Sequence, residues 1–105
     1  MFEASDSDLQ NLYVLMQPTR QRIVRMLRQH GAPMYVKQIA DQLHEDERIT
    51  SFHLATLAEH GFVEGEYRTI ERPIARSAPM SRAAKFYTLT GKVREVTEKL
   101  AQSLE

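Results

Sequence analysis

Residues 36 to 64, VKQIADQLHEDERITSFHLATLAEHGFVE, constrain the fold most, because two short helical patterns stand there with almost nothing between them. Val36, Ile39, Ala40 and Leu43 recur at helical spacing, and Ile49, Phe52, Leu54, Leu57 and Ala58 mark an apolar side running toward Gly61. The connection around His44-Glu45-Asp46 has room only for a tight turn. Asp46 has the side chain to accept a backbone N–H as N-cap, Glu47 suits the positive first turn, and Gly61 can take the left-handed conformation that stops the helix. Helices joined this tightly brace one across the other. That is the helix-turn-helix geometry that presents its second helix to a DNA major groove.

The remaining elements follow from caps and breakers. Ser5-Asp6-Ser7-Asp8 reads as a capping box, and Leu9, Leu12, Tyr13, Leu15 and Met16 follow it in a first helix, about 5–17. Pro18 ends that helix and begins another, about 18–30, which buries Ile23, Met26 and Leu27, shows Arg20, Arg22, Arg25 and Arg28, and stops at Gly31 and Pro33. Met34-Tyr35 is a very short strand. FVEGEYRTI and AAKFYTLT read as two strands, with Pro73 and Pro79 confined between them, forming a long hairpin or wing. Thr90 caps a last helix, about 91–104. The predicted order is α-α-β-α-α-β-β-α, a mainly α fold with a small β-hairpin (α+β), in one winged helix-turn-helix domain spanning 1–105.

Composition narrows the function. With 14 Lys+Arg against 14 Asp+Glu, overall charge gives no support for a nucleic-acid partner. Its distribution does. Residues 1 to 17 carry Glu3, Asp6 and Asp8 and no base, whereas residues 68 to 85 carry Arg68, Arg72, Arg76, Arg82 and Lys85 against Glu71 alone. No apolar run approaches the roughly 18 residues that span a bilayer, and no charged and apolar leader opens the chain, so a cytoplasmic protein with no membrane partner is expected. Zero cysteines removes disulfides, thiolate metal sites and cysteine redox sensing. His30, His44, His53 and His60 are spread over three different helices with no i, i+4 pair, so neither a metal nor another cofactor is expected. No nucleophile–base set, Gly-rich phosphate loop or paired-carboxylate motif is legible, and no enzyme is expected.

From about Leu9 to Leu104 the chain resembles the winged-helix repressors of the arsenic-repressor (ArsR-like) family. QPTRQRIVRML at 17–27 is similar to that family's Asp-Pro-Thr-Arg-x-x-Ile-Leu segment, with Gln17 in place of Asp. SFHLATLAEHGFV at 51–63 is similar to its recognition helix, and FYTLT at 86–90 to its second wing strand. The resemblance implies a homodimer that binds duplex DNA, and a transcriptional regulator that acts as a repressor by occluding a promoter. It does not extend to metal control, because the sensing cysteines are missing and no histidine follows His60.

On this resemblance Arg48, Ser51 and His53 in the recognition helix, residues 47 to 60, match DNA-facing positions, while Leu54 and Leu57 face the core. Thr50 joins the DNA-facing set although the family usually has an inward apolar residue there. Phe52 also matches a DNA-facing position, but is either core, the favoured reading, or a thymine-methyl contact. His53 can instead buttress the turn. Arg48 can bind guanine bidentately, and Ser51 is small enough for close approach. In the wing, residues 68 to 85, Arg72, Arg76 and Arg82 can lie over the backbone or enter the minor groove, and Arg20 is the candidate phosphate contact on the second helix. Leu9, Leu12, Tyr13 and Met16 from the first helix and Val93, Val96, Leu100 and Leu104 from the last supply more apolar surface than a small core covers, and are expected to form the dimer interface. The acidic run Glu45-Asp46-Glu47 supports the rival expectation, a winged-helix module that binds a protein rather than DNA.

Overall fold

The computed structural model describes residues 5–72 and 80–104. Ser5 opens α1 (Asp6–Met16) with a reciprocal cap: its hydroxyl accepts from Asp8 N at 3.1 Å while the Asp8 carboxylate accepts from Ser5 N at 3.2 Å. Gln17 ends α1 and caps α2 (Pro18–His30), its Oε1 accepting from Arg20 N at 2.8 Å. Gly31, at φ 70°, terminates α2. β1 (Met34–Tyr35) runs directly into α3 (Val36–Leu43). His44 makes the turn with φ 54°, the one positive-φ non-glycine among the described residues, and Glu45 N donates to Ala40 O at 3.0 Å.

α4 (Glu47–Glu59) starts at Asp46, whose Oδ1 accepts from Arg48 N at 2.7 Å and Ile49 N at 3.3 Å. It ends in a paired closure around Gly61, at φ 79°: Phe62 N donates to Leu57 O at 2.8 Å and Gly61 N to Ala58 O at 3.0 Å. These bonds define a Schellman motif, and the fully buried Phe62 and Leu57 supply the apolar contact that accompanies it. Lys92 Nζ donates to His60 O and Thr90 Oγ1 to Gly61 O at 2.6 Å, so the start of α5 (Lys92–Ser103) is tied to the end of α4. The N-cap of α5 is Gly91 rather than the expected Thr90, which stands one residue earlier and accepts from Lys92 N at 3.2 Å.

β2 (Val63–Arg72) and β3 (Met80–Leu89) pair antiparallel from Val63↔Leu89 to Arg72↔Met80. Both outrun the expected strands, to Arg72 at the end of β2 and from Met80 at the start of β3. β1 adds to β3 through Met34↔Tyr87 and Tyr35↔Phe86, giving a three-stranded sheet of order β1-β3-β2. The elements and this sheet form a mainly helical α+β winged helix-turn-helix. Ile23, Met34, Ile39, Leu54, Leu57 and Phe62 are fully buried at the junction of α2, α3, α4 and the sheet, with Val14 and Val93 closing the core from α1 and α5. Among the described residues no helix is long and apolar enough to cross a membrane.

Candidate nucleic-acid interface

The buried side of α4 is Thr50, His53, Leu54 and Leu57, an i, i+3, i+4, i+7 series. The exposed side is Arg48, Ser51, Phe52, Ala55 and Glu59, flanked by Glu47 and Ile49. At about 100° per residue, Arg48, Phe52, Ala55 and Glu59 fall within an arc of about 60° opposite the core. This corrects the apolar side expected from the sequence: Ile49 is 45% and Phe52 63% exposed, and the favoured reading of Phe52 as core does not hold.

Three residues expected on the DNA-facing surface lie inside the protein. Thr50 is fully buried, and its hydroxyl donates to Asp46 O at 2.9 Å within its own helix. Arg20 is only 6% exposed; its Nε donates to Val14 O at 2.6 Å and its Nη1 lies 3.1 Å from His53 Nδ1. A guanidinium only donates, so Nδ1 accepts and the neutral imidazole carries its proton on Nε2. His53 is buried, and burial, followed by the Arg20 charge, holds its pKa below the ordinary histidine value, with Glu45 acting in the opposite direction. Arg20 thus joins the last turn of α1 to the middle of α4 and is turned away from the surface, and His53 faces Arg20 rather than the outer face of α4. The other arginines of α2 are exposed, Arg22 Nη2 donating to Leu43 O at 2.6 Å at the end of α3.

The start of α4 sits beside the base of the wing, where Tyr35, Lys37, Glu47, Ile70, Ala83 and Lys85 line one cleft. Lys37 was not singled out in the sequence. Its ammonium lies 3.4 Å from Asp41 and 3.9 Å from Glu47, and so offsets part of the negative charge at the helix entry. Being exposed, these pairs contribute little to stability. On the wing, Arg68 lies 5.8 Å over the Phe86 ring and 3.6 Å from Glu66, and Lys85 lies 5.6 Å from the Tyr67 ring. Gly65 makes room for that lysine, since a Cβ there would meet the Lys85 side chain and the Tyr87 ring. Arg72 stands opposite Met80 and Arg82 opposite Ile70 in the β2–β3 register, whereas Arg76 lies outside the described residues.

The terminal helices divide. Val93 is buried in the core, which takes it out of the surface expected to meet a partner, and Val96 packs against that core. Leu9, Leu12, Val96 and Leu100 line a groove between α1 and α5, bridged by Lys99 and Asp8 at 3.6 Å. Leu9 is exposed at the groove, and outside it Tyr13 (75%), Met16 and Leu104 (79%) are exposed.

No curated protein sequence matches the chain. Residues 15–66 match the family model of a helix-turn-helix domain, a span that runs from the end of α1 into β2 and contains all of α4. That match, on a helix whose outer face is free of the core, suggests a DNA-binding regulator.

Proposed function

We propose that this chain is a homodimeric transcriptional repressor of ArsR-like kinship, lacking the metal-sensing cysteines, that acts in the cytoplasm on an inverted-repeat operator in duplex DNA. The observation that carries the reading is the exposed face of α4, with Arg48, Ser51 and Phe52, in a helix-turn-helix whose α4 meets the wing strands at Glu47. α4 enters the major groove, and the wing, with Arg68, Arg72, Arg76 and Arg82, tracks the backbone or minor groove. Leu9, Leu12, Tyr13, Met16, Leu100 and Leu104 cover one another across a two-fold axis. The exposure of Leu9, Tyr13, Met16 and Leu104, with half-buried Leu12 and Leu100 in the groove beside Leu9, supports this, since exposed apolar surface of this kind marks association. Two-fold pairing sets the recognition helices about 34 Å apart, one turn of DNA. Repression follows from occlusion of a promoter.

The test is a gel shift with the DNA upstream of the chain's own gene, comparing wild type with Arg48→Ala and with Arg72→Ala/Arg76→Ala. Specific shifts weakened in both variants support the reading, and light scattering at micromolar concentration should return twice the chain mass. A monomer removes the inverted repeat. A second reading, a protein-binding winged helix, draws on exposed Asp41, Asp46 and Glu47 around the start of α4, and absence of any specific shift at low salt favours it.

A further inference from the structure

The exposed face of α4 holds a large aromatic residue that the fold does not use. Phe52 is 63% exposed, and among the described residues its aromatic contact is edge-on to His53, with ring centroids 5.3 Å apart. Ile49, three residues earlier, is also exposed, and Arg48 and Ser51 flank the pair. Arg48 is the only cation in α4, set against Glu47 and Glu59 at its two ends. Hydrogen-bond readout of guanine by this helix therefore has one arginine to work with, and what remains at the centre of the face is apolar. Of the four base edges in the major groove, only thymine presents an apolar group, its C5-methyl.

Resting on the DNA-binding reading, we infer that α4 reads its operator through thymine methyl groups, with Phe52 as the contacting ring, Ile49 beside it and Arg48 fixing register on an adjacent guanine or phosphate. The apolar pair is then a specificity determinant, and the acidic ends of the helix disfavour sequence-independent approach to the backbone.

The experiment removes the methyl groups and nothing else. A duplex enriched from a random pool by the purified chain is remade with deoxyuridine in place of thymidine, one position at a time, and both forms are titrated with wild type and Phe52→Ala. Burial of one methyl predicts a loss of about fourfold per contacted thymine in wild type. Phe52→Ala, its fold checked by circular dichroism, binds the thymine duplex more weakly and no longer distinguishes the two forms. Equal binding of thymine and uracil duplexes by wild type overturns the inference and leaves the DNA-binding reading standing. Full discrimination retained by Phe52→Ala also overturns it, because another residue then reads the methyl. If no duplex is enriched, both the inference and the reading beneath it fall.

Discussion

Arg20→Met tests whether the recognition helix is held by the buried link to α1. Methionine keeps most of the aliphatic stem and deletes the guanidinium, so Val14 O and His53 Nδ1 lose donors now 2.6 Å and 3.1 Å away. Each buried acceptor left unmade costs about 1–3 kcal/mol, for a gross loss of about 2–6 kcal/mol. Against this stands the recovered desolvation of a buried cation, which in buried ionic sites can cancel several kcal/mol. The local field favours keeping the charge. Val14 O belongs to the last turn of α1, whose carbonyls lack helical partners and form the negative end of the helix dipole, a position worth up to about 2 kcal/mol to a partly buried cation. We expect a net destabilisation of about 2 kcal/mol, read as a lower urea midpoint with unchanged m-value, or as a melting temperature lower by about 8–16 °C. A variant as stable as wild type would falsify the reasoning. The link would then be a tolerated charge, and α4 would be held by its apolar side alone.

His53→Gln keeps an acceptor for Arg20 but cannot titrate. Because the folded pKa of His53 lies below its ordinary 6.5, the unfolded chain binds more protons and stability falls as pH drops below about 6.5, by at most about 1.4 kcal/mol per pH unit; above that pH the residue adds no slope. Urea titrations from pH 7.5 to 5.5 should show a shallower decline in the variant, and identical slopes would refute the assignment. Asp46→Asn keeps the cap on α4 while removing a carboxylate from its entry; stability should change by under about 1 kcal/mol and DNA affinity should rise, whereas Asp46→Ala should lose about 1 kcal/mol of stability as well. Weaker DNA binding by the asparagine variant would contradict this. Leu57→Ala should cost about 2–5 kcal/mol and Phe52→Ala about 0.5 kcal/mol or less in thermal melts, and a reversed order would show the register of α4 to be wrong.

Caps and breakers made the element order legible, because Ser5, Pro18, Gly31, Asp46 and Gly61 each act through local backbone geometry that a sequence displays directly. The face of α4 was not legible from apolarity. Its core side carries two polar residues and its outer side two large apolar ones, Ile49 and Phe52, so a hydrophobic pattern points the helix the wrong way by about one position. Thr50 is tolerated inside because its hydroxyl is satisfied one turn back, a bond open to any helical threonine. His53 is tolerated because of Arg20, 33 residues away, and nothing local in either segment announces that pairing. The spacing 50-53-54-57 was the available signal, provided polar residues were allowed to count. The strand partner of Met34-Tyr35 was equally hidden, since two residues specify no register by themselves.

The charge on α4 also sets what a salt titration should return. For duplex DNA, log K falls with log salt at about 0.9 per phosphate neutralised, so the slope counts engaged cations. α4 supplies Arg48 alone, and Lys37 beside it is already shared between Asp41 and Glu47. If the two recognition helices of a dimer made all the contacts, the slope would be about −2. Engagement of Arg68, Arg72 and Arg82 from both wings would add up to six more contacts and carry it toward about −7. A measured slope steeper than about −4 that collapses when Arg72 and Arg82 are replaced by alanine places affinity in the wings and leaves α4 to choose the sequence. A slope near −2 that those replacements leave unchanged refutes that division, and the neutral chain then has no electrostatic anchor beyond its recognition helices.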